Sequence, residues 1–336
     1  MVLASEPSKD SMSRILFVVQ RYYPYPGGSE NFVRWMAEEA LRQGHEVTAL
    51  AKDHRGDQNG VRLTADPYVL LSDWDLIVVH GPKEWPQQVA MLNAKKIKSP
   101  IYLMLVEPKD SAPMLAGLAD VKYLGWSTSF DLAYIQKHNQ SAKARQYHHA
   151  ISPDSVGNTG FRKRYGITTS KMYLSVGGYW THKRMKELVT GFNNAKVPDT
   201  TLVLMGYDNR ENHLPKESQY VRTLLGSPQE DVYSAMREAD LYIMHSSYEG
   251  FGLALLEAMA NRTPWIANDI AAASDLREFG TTYNTDDELC ALLQNPPNKN
   301  TEKVLAGLVL TLRHHSIQNC VSEILSVLQE PSPLDD

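Results

Sequence analysis

The sequence predicts an α/β protein made of two successive units, each a parallel sheet covered by helices on both faces. Three observations carry that prediction. Short runs of β-branched and aromatic residues recur without polar alternation, as in Arg14-Ile-Leu-Phe-Val-Val-Gln20, and continuous apolar strands are those buried on both faces. Segments with helical spacing separate these runs. The alternation then restarts after a polar stretch, Ser152 to Gly160, which holds Pro153, two glycines and two serines.

Taken in order, the first run enters Tyr22-Tyr-Pro-Tyr-Pro-Gly-Gly28, which neither a helix nor a central strand tolerates. From Ser29, Phe32, Val33, Met36, Ala37, Ala40 and Leu41 recur at helical spacing, and Gly44 ends that helix before a strand over His45 to Ala51. Asp75 to His80 and Pro100 to Val106 repeat the strand signal. In the second unit, Lys171 to Gly178 reads as a strand into a glycine turn, Lys186 to Asn193 as a helix, and Thr200 to Gly206 as a strand ending in glycine. Asp240 to His245 and Pro264 to Ala267 are two more strands, and residues 301 to 328 form a helical segment broken near His314-His315. The expected organisation is a disordered leader over 1–13, a first domain over 14–155, a second over 156–310, and a C-terminal helix over 311–330 that packs back on the first domain.

Composition narrows the classes. The chain has 336 residues, 43% hydrophobic and 22% charged, enough for two domains of about 100 to 200 residues each. Apolar runs such as Ile15 to Val19 fall far short of the roughly 20 residues that cross a bilayer. Only Cys290 and Cys320 are present, which excludes a disulfide framework and a four-cysteine zinc site and suits a reducing cytoplasm. Residues 1–160 carry 17 basic and 17 acidic side chains and the remainder 17 and 22. Without a basic excess, nucleic acid is a disfavoured partner. Lys95, Lys96 and Lys98 suit either a solvated turn or anionic headgroups, so the expected location is cytoplasmic, with peripheral contact at the inner face of a membrane left open.

The segment richest in chemistry is Ser246-Ser-Tyr-Glu249-Gly-Phe-Gly252-Leu-Ala-Leu-Leu-Glu257-Ala-Met-Ala260. Glu249 stands in a glycine-flanked loop, and a helix starts near Gly252 with free N–H groups that can hold a diphosphate. Glu257 lies about 7.5 Å further along that helix, the span from a pyrophosphate to a ribose. On spacing alone two readings stand: a pair of sugar-reading carboxylates, or a loop charge and an exposed helix residue.

This segment resembles the Glu-x7-Glu signature of the family 4 retaining glycosyltransferases, whose fold is GT-B: two Rossmann-like doubly wound domains facing each other across a cleft. Other pieces fall in the family's order, among them Tyr23-Pro-Tyr-Pro-Gly-Gly-Ser-Glu30, Phe161-Arg-Lys-Arg-Tyr-Gly-Ile167, Ser175-Val-Gly-Gly178 with Lys183, and Leu224-Leu-Gly226. The resemblance spans about Arg14 to Leu292. It implies a UDP- or GDP-sugar as donor and a glycan, lipid-linked or small-molecule acceptor, with no cofactor and no metal. It also assigns Glu249 to the donor sugar, Glu257 to the ribose, the backbone of Gly250, Phe251, Gly252 and Leu253 to the phosphates, and Lys183 to the charge of the leaving diphosphate. Gly27, Gly28 and Gly177 would approach the phosphates, and Gly206 and Leu225 the base.

The chain also departs from the pattern. Gly178 stands where the family commonly has an arginine, which leaves open a catalytically silent nucleotide-sugar-binding subunit or a GT-B-shaped epimerase. The family's histidine near the end of the strand Pro100 to Glu107 is absent, so Tyr22, His80 and Glu107 are the acceptor-side candidates. Asp73-Trp-Asp75 precedes its strand and reads as a turn, not a metal site. The adjacent pairs His148-His149 and His314-His315 read as structural or solvated.

Overall fold

Along nearly every central strand, successive side chains enter cores on opposite faces of the sheet, which is why the apolar runs show no alternation. The computed structural model describes residues 12–25, 27–52, 54–81, 85–106, 110–138, 142–207 and 215–330. The leader expected over 1–13 lies outside the described residues apart from Met12 and Ser13, and so does Glu107. One unit runs through His149 and resumes from Ile317; the other is Ala150–Ser316.

The first unit contains β1 (Arg14–Val18), β2 (Glu46–Leu50), β3 (Gly56–Gln58), β4 (Val61–Thr64), β5 (Leu76–His80), β6 (Ile101–Met104), β7 (Tyr123–Trp126) and β8 (Lys143–Gln146). They lie in the order β3-β4-β2-β1-β5-β6-β7-β8. Every pairing is parallel except β3 with β4. Leu16 and Val18 of β1 join Ile77 and Val79 of β5 in one core layer with Met91, Met114 and Leu118. The segment after Ile317 belongs to this unit: helix Ile317–Leu325 packs against helix Gly28–Arg42, and Glu330 bridges Lys143 and Arg145 of β8. That pair of cations holds the Glu330 carboxyl down at about 2.

The second unit contains β9 (Lys171–Val176), β10 (Thr200–Gly206), β11 (Val221–Leu225), β12 (Leu241–Met244), β13 (Trp265–Asn268) and β14 (Thr281–Tyr283), in the order β11-β10-β9-β12-β13-β14. All pairings are parallel. Met172, Leu174, Tyr242 and Met244 face one core with Leu255 and Met259. Tyr173, Leu241 and Ile243 face the other with Leu188 and Phe192. The break in the last helical segment falls at His315 and Ser316, between Glu302–His314 and Ile317–Leu325. Among the described residues, no helix is long and apolar enough to cross a membrane.

Candidate active site

Each sheet reverses its winding at one strand pair. In the second unit β9 has β10 on one side and β12 on the other, and ligands of open α/β sheets bind beyond the carboxyl ends at such a point. The loops leaving β9 and β12 carry the candidate residues. Lys183 closes the short turn Thr181–Lys183, and Glu249 precedes helix Leu253–Ala260. The Lys183 Nζ donates to Glu249 Oε1 at 2.5 Å, and Ser246 Oγ donates to the same oxygen at 2.5 Å. The side chains of Lys183 and Glu249 are only 19% and 14% exposed, so solvent screens the pair weakly. Ser247 N donates to the His182 carbonyl at 2.8 Å and ties the two loops together.

The glycines fit this arrangement for separate reasons. At Gly206 a Cβ would stand 1.8 Å from the Gly177 carbonyl oxygen, so the ends of β10 and β9 approach too closely for any side chain. At Gly177 a Cβ would stand 3.4 Å from Lys183 Cδ and Cε, which makes it the floor under the lysine stem. At Gly178 a Cβ would stand 2.5 Å from Trp180 Nε1. The indole therefore fills the space from which an arginine at 178 would project. Gly252 is left-handed (φ +81) and starts helix Leu253–Ala260; among Gly250 to Leu253, Phe251 is buried in the core. Leu225, half exposed, ends β11, and Gly226 N donates to the Gly206 carbonyl.

Glu257 lies on helix Leu253–Ala260 and is 8% exposed, which overturns the exposed-helix reading. Burial raises its carboxyl to about 8, with Tyr233 pulling the other way. Among the residues sequence reasoning missed, His245 directly follows β12, with Nδ1 2.6 Å from Tyr283 Oη. Burial, with Arg184 nearby, lowers it to about 4, so it is neutral. Ser246 is a second such residue, and its position three residues before Glu249 is the sequence signal for it.

The first unit has its own switch point, with β1 between β2 and β5. Tyr22, fully buried, follows β1, and burial raises its hydroxyl further. Gly27 and Gly28 open helix Gly28–Arg42, and a Cβ at Gly27 would stand 2.1 Å from Glu30 Oε2. Burial raises Glu30 to about 7. His80 ends β5, 5% exposed, edge-on to Phe32 at 5.7 Å; His149 packs on the same ring at 4.7 Å and stands 3.3 Å from Tyr147 Oη. Glu30 and His149 were not singled out by pattern, because one looks like an ordinary first-turn acid and the other like half of a histidine pair. The other half, His148, pairs with Glu323 at 2.8 Å.

The structure thus gathers Gly177, Gly178, Lys183, Gly206, Leu225, Glu249 and the Gly250–Leu253 turn along the carboxyl edge of the second sheet, and Tyr22, Gly27, Gly28 and His80 along that of the first. Two α/β units with parallel sheets and loop sites at their strand ends make this a GT-B fold. Solved structures share it. Sucrose-phosphate synthase from Thermosynechococcus elongatus has TM-score 0.77 and 15% identity, covering 94% of this chain and 98% of that one. Anabaena HepE in complex with UDP and glucose has TM-score 0.74 and 14% identity, covering 94% and 99%. The trehalose-6-phosphate synthase OtsA has TM-score 0.77 and 13% identity, covering 96% and 100%. At these identities the likeness shows the fold. Residues 158–279, all within the second unit, match the family model described as "Glycosyl transferases group 1", in line with the resemblance. A curated relative, N-acetyl-alpha-D-glucosaminyl L-malate synthase of Bacillus anthracis, is 31% identical over 136 residues, covering 37% of this chain and 34% of that protein. The match therefore spans about a third of the relative's length.

Proposed function

We propose that the protein is a retaining glycosyltransferase that moves a sugar from a UDP- or GDP-sugar to an acceptor hydroxyl in glycan or glycoconjugate biosynthesis. One observation carries the reading: the Lys183–Glu249 pair, mostly buried and set beside glycines at the switch point of the unit that matches the group 1 model. Negative charge builds on the diphosphate as the sugar–oxygen bond breaks, and a fixed ammonium in a poorly screened site stabilises that charge more than water does. Glu249 holds Lys183 in place before the donor arrives. When the phosphates take the ammonium, the carboxylate is released toward the sugar hydroxyls, with Ser246 keeping it oriented. This use of Lys183 supplies the cation without a metal or cofactor.

The Gly250–Leu253 turn brings backbone N–H groups to the phosphates, Gly177 leaves room for the Lys183 stem beneath them, and Glu257 accepts from the ribose hydroxyls in its ionised form. Retention follows if the acceptor attacks on the face the diphosphate leaves, with a donor phosphate oxygen taking its proton. The complex of HepE with UDP and glucose, a protein of the same fold, supports a nucleotide-sugar donor. Tyr22, His80 and Glu107 are the acceptor-side groups of this reading.

The test is acceptor-dependent release of nucleoside diphosphate across UDP- and GDP-sugars. Release that rises with acceptor and is lost in Lys183→Ala and Glu249→Ala supports transfer. Binding without release indicates a silent subunit, and release independent of acceptor indicates hydrolytic or epimerase-like chemistry.

A further inference from the structure

Beside the Lys183–Glu249 pair, the second unit carries a groove of about 590 Å³ lined by Trp180, His182, Arg184, Glu187, Ser247 and Tyr248. That volume is in the range of small-molecule sites. Its walls are aromatic: the His182 and Tyr248 rings stack at 4.5 Å and 23°, and the Trp180 indole lies along the same groove. Its charged groups are a guanidinium and a carboxylate from one turn, Arg184 and Glu187.

Arg184 is unusual in two ways. Its backbone is left-handed, φ +51, a conformation that disfavours any residue with a Cβ. Its half-buried side chain makes no hydrogen bond or ion pair among the described residues. A backbone outlier that places an unpaired cation in a groove marks a position held for binding instead of for stability.

We infer that this groove is a carbohydrate subsite, which holds a pyranose ring of a glycan acceptor against the indole and phenol faces, with its hydroxyls on Arg184 and Glu187. The inference rests on the proposed transfer reaction and names its acceptor class. Aromatic rings cover the apolar C–H face of a pyranose, while a fork of donors next to an acceptor matches vicinal hydroxyls. Neither a free phosphate nor a lipid tail uses both. The bond from Ser247 N to the His182 carbonyl makes the groove and the Lys183–Glu249 loops one body, so an acceptor seated there is held beside the reacting centre.

The experiment applies the purified full chain, bound to UDP, to an oligosaccharide array and titrates the retained glycans by saturation-transfer NMR. The expected result is glycan retention by the wild type, weakened at least about tenfold in Tyr248→Ala and in Arg184→Gly, as the loss of a stacking face or a charged hydrogen bond implies. Thermal stabilisation by UDP persists in both variants, which separates this inference from the donor-site reading. Arg184→Gly also melts at the wild-type temperature or above, because glycine relieves the left-handed backbone. No glycan retained, equal affinity in the variants, or an Arg184→Gly protein that melts well below wild type would overturn the subsite.

Discussion

At the carboxyl ends of β1 and β5, the first unit packs His80 and His149 against the Phe32 ring. At the ends of β9 and β12, the second unit sets an ammonium against a carboxylate beside a glycine floor. The same topology therefore yields one crevice packed with aromatic and imidazole rings and one that is glycine-lined and carries a fixed ion pair. Chemistry that generates a diphosphate needs the second kind, because only a fixed charge distinguishes the departing group from its bound precursor. The ring-packed crevice is suited to recognition by shape. The burial of His80 shows why: a ring packed edge-on to Phe32 is positioned well but hydrated poorly.

Removing charge from the second crevice tests this contrast most severely. Lys183→Ala is expected to lower transfer by about a hundredfold to a thousandfold with the circular dichroism spectrum unchanged, whereas His80→Ala lowers it less and acts on the acceptor KM. Equal losses in both variants would erase the contrast. Next in size is Gly206→Ala, whose Cβ would stand 1.8 Å from the Gly177 carbonyl. It should cost about 3 kcal/mol, the upper end of overpacking, as read by denaturant unfolding.

Glu257 supplies a pH test. Its carboxyl stands at about 8 in the fold against 4.5 for an ordinary glutamate, so folding takes up a proton between those values and stability falls as pH rises from about 5 to 8. Glu257→Gln should match the wild type below pH 4.5, exceed it at pH 8, and flatten that slope in thermal unfolding. In the proposed role the bound nucleotide needs the ionised form, so donor affinity in the wild type should rise over the same interval. The smallest effect is expected for Gly178→Arg. Because Trp180 Nε1 stands 2.5 Å from the added Cβ, the substitution should cost about 1 kcal/mol, and a second change, Trp180→Ala, should recover it.

The central strands were legible because they are buried on both faces. Thr200–Gly206 is read from the sequence to the residue, and β1, β2, β5, β9 and β12 within two residues or so at either end. The strands that escaped are mostly short or at the edges. β8, Lys-Ala-Arg-Gln, has no apolar run at all and exists because β7 offers it a parallel ladder, while β3 is a three-residue hairpin arm against β4. In the site, the Glu249 loop and the Glu257 helix were visible as glycines and carboxylates at fixed spacing. Invisible were the features that depend on distant residues: the His245–Tyr283 bond between two strand ends, the burial of Glu257, and the indole that takes the place of a side chain at 178. Gly178 read as a lost cation in the sequence, but in three dimensions the position is sterically closed by Trp180.

The most direct test is thermal stabilisation of the full chain by a panel of UDP- and GDP-sugars, compared with Lys183→Ala. A ligand at 100 times its dissociation constant adds about 2.7 kcal/mol to the stability of the protein that binds it. A clear upward shift is expected for at least one donor in the wild type and a much smaller shift in Lys183→Ala. No shift with any donor, or the same shift in both proteins, would contradict a donor site built on the Lys183–Glu249 pair.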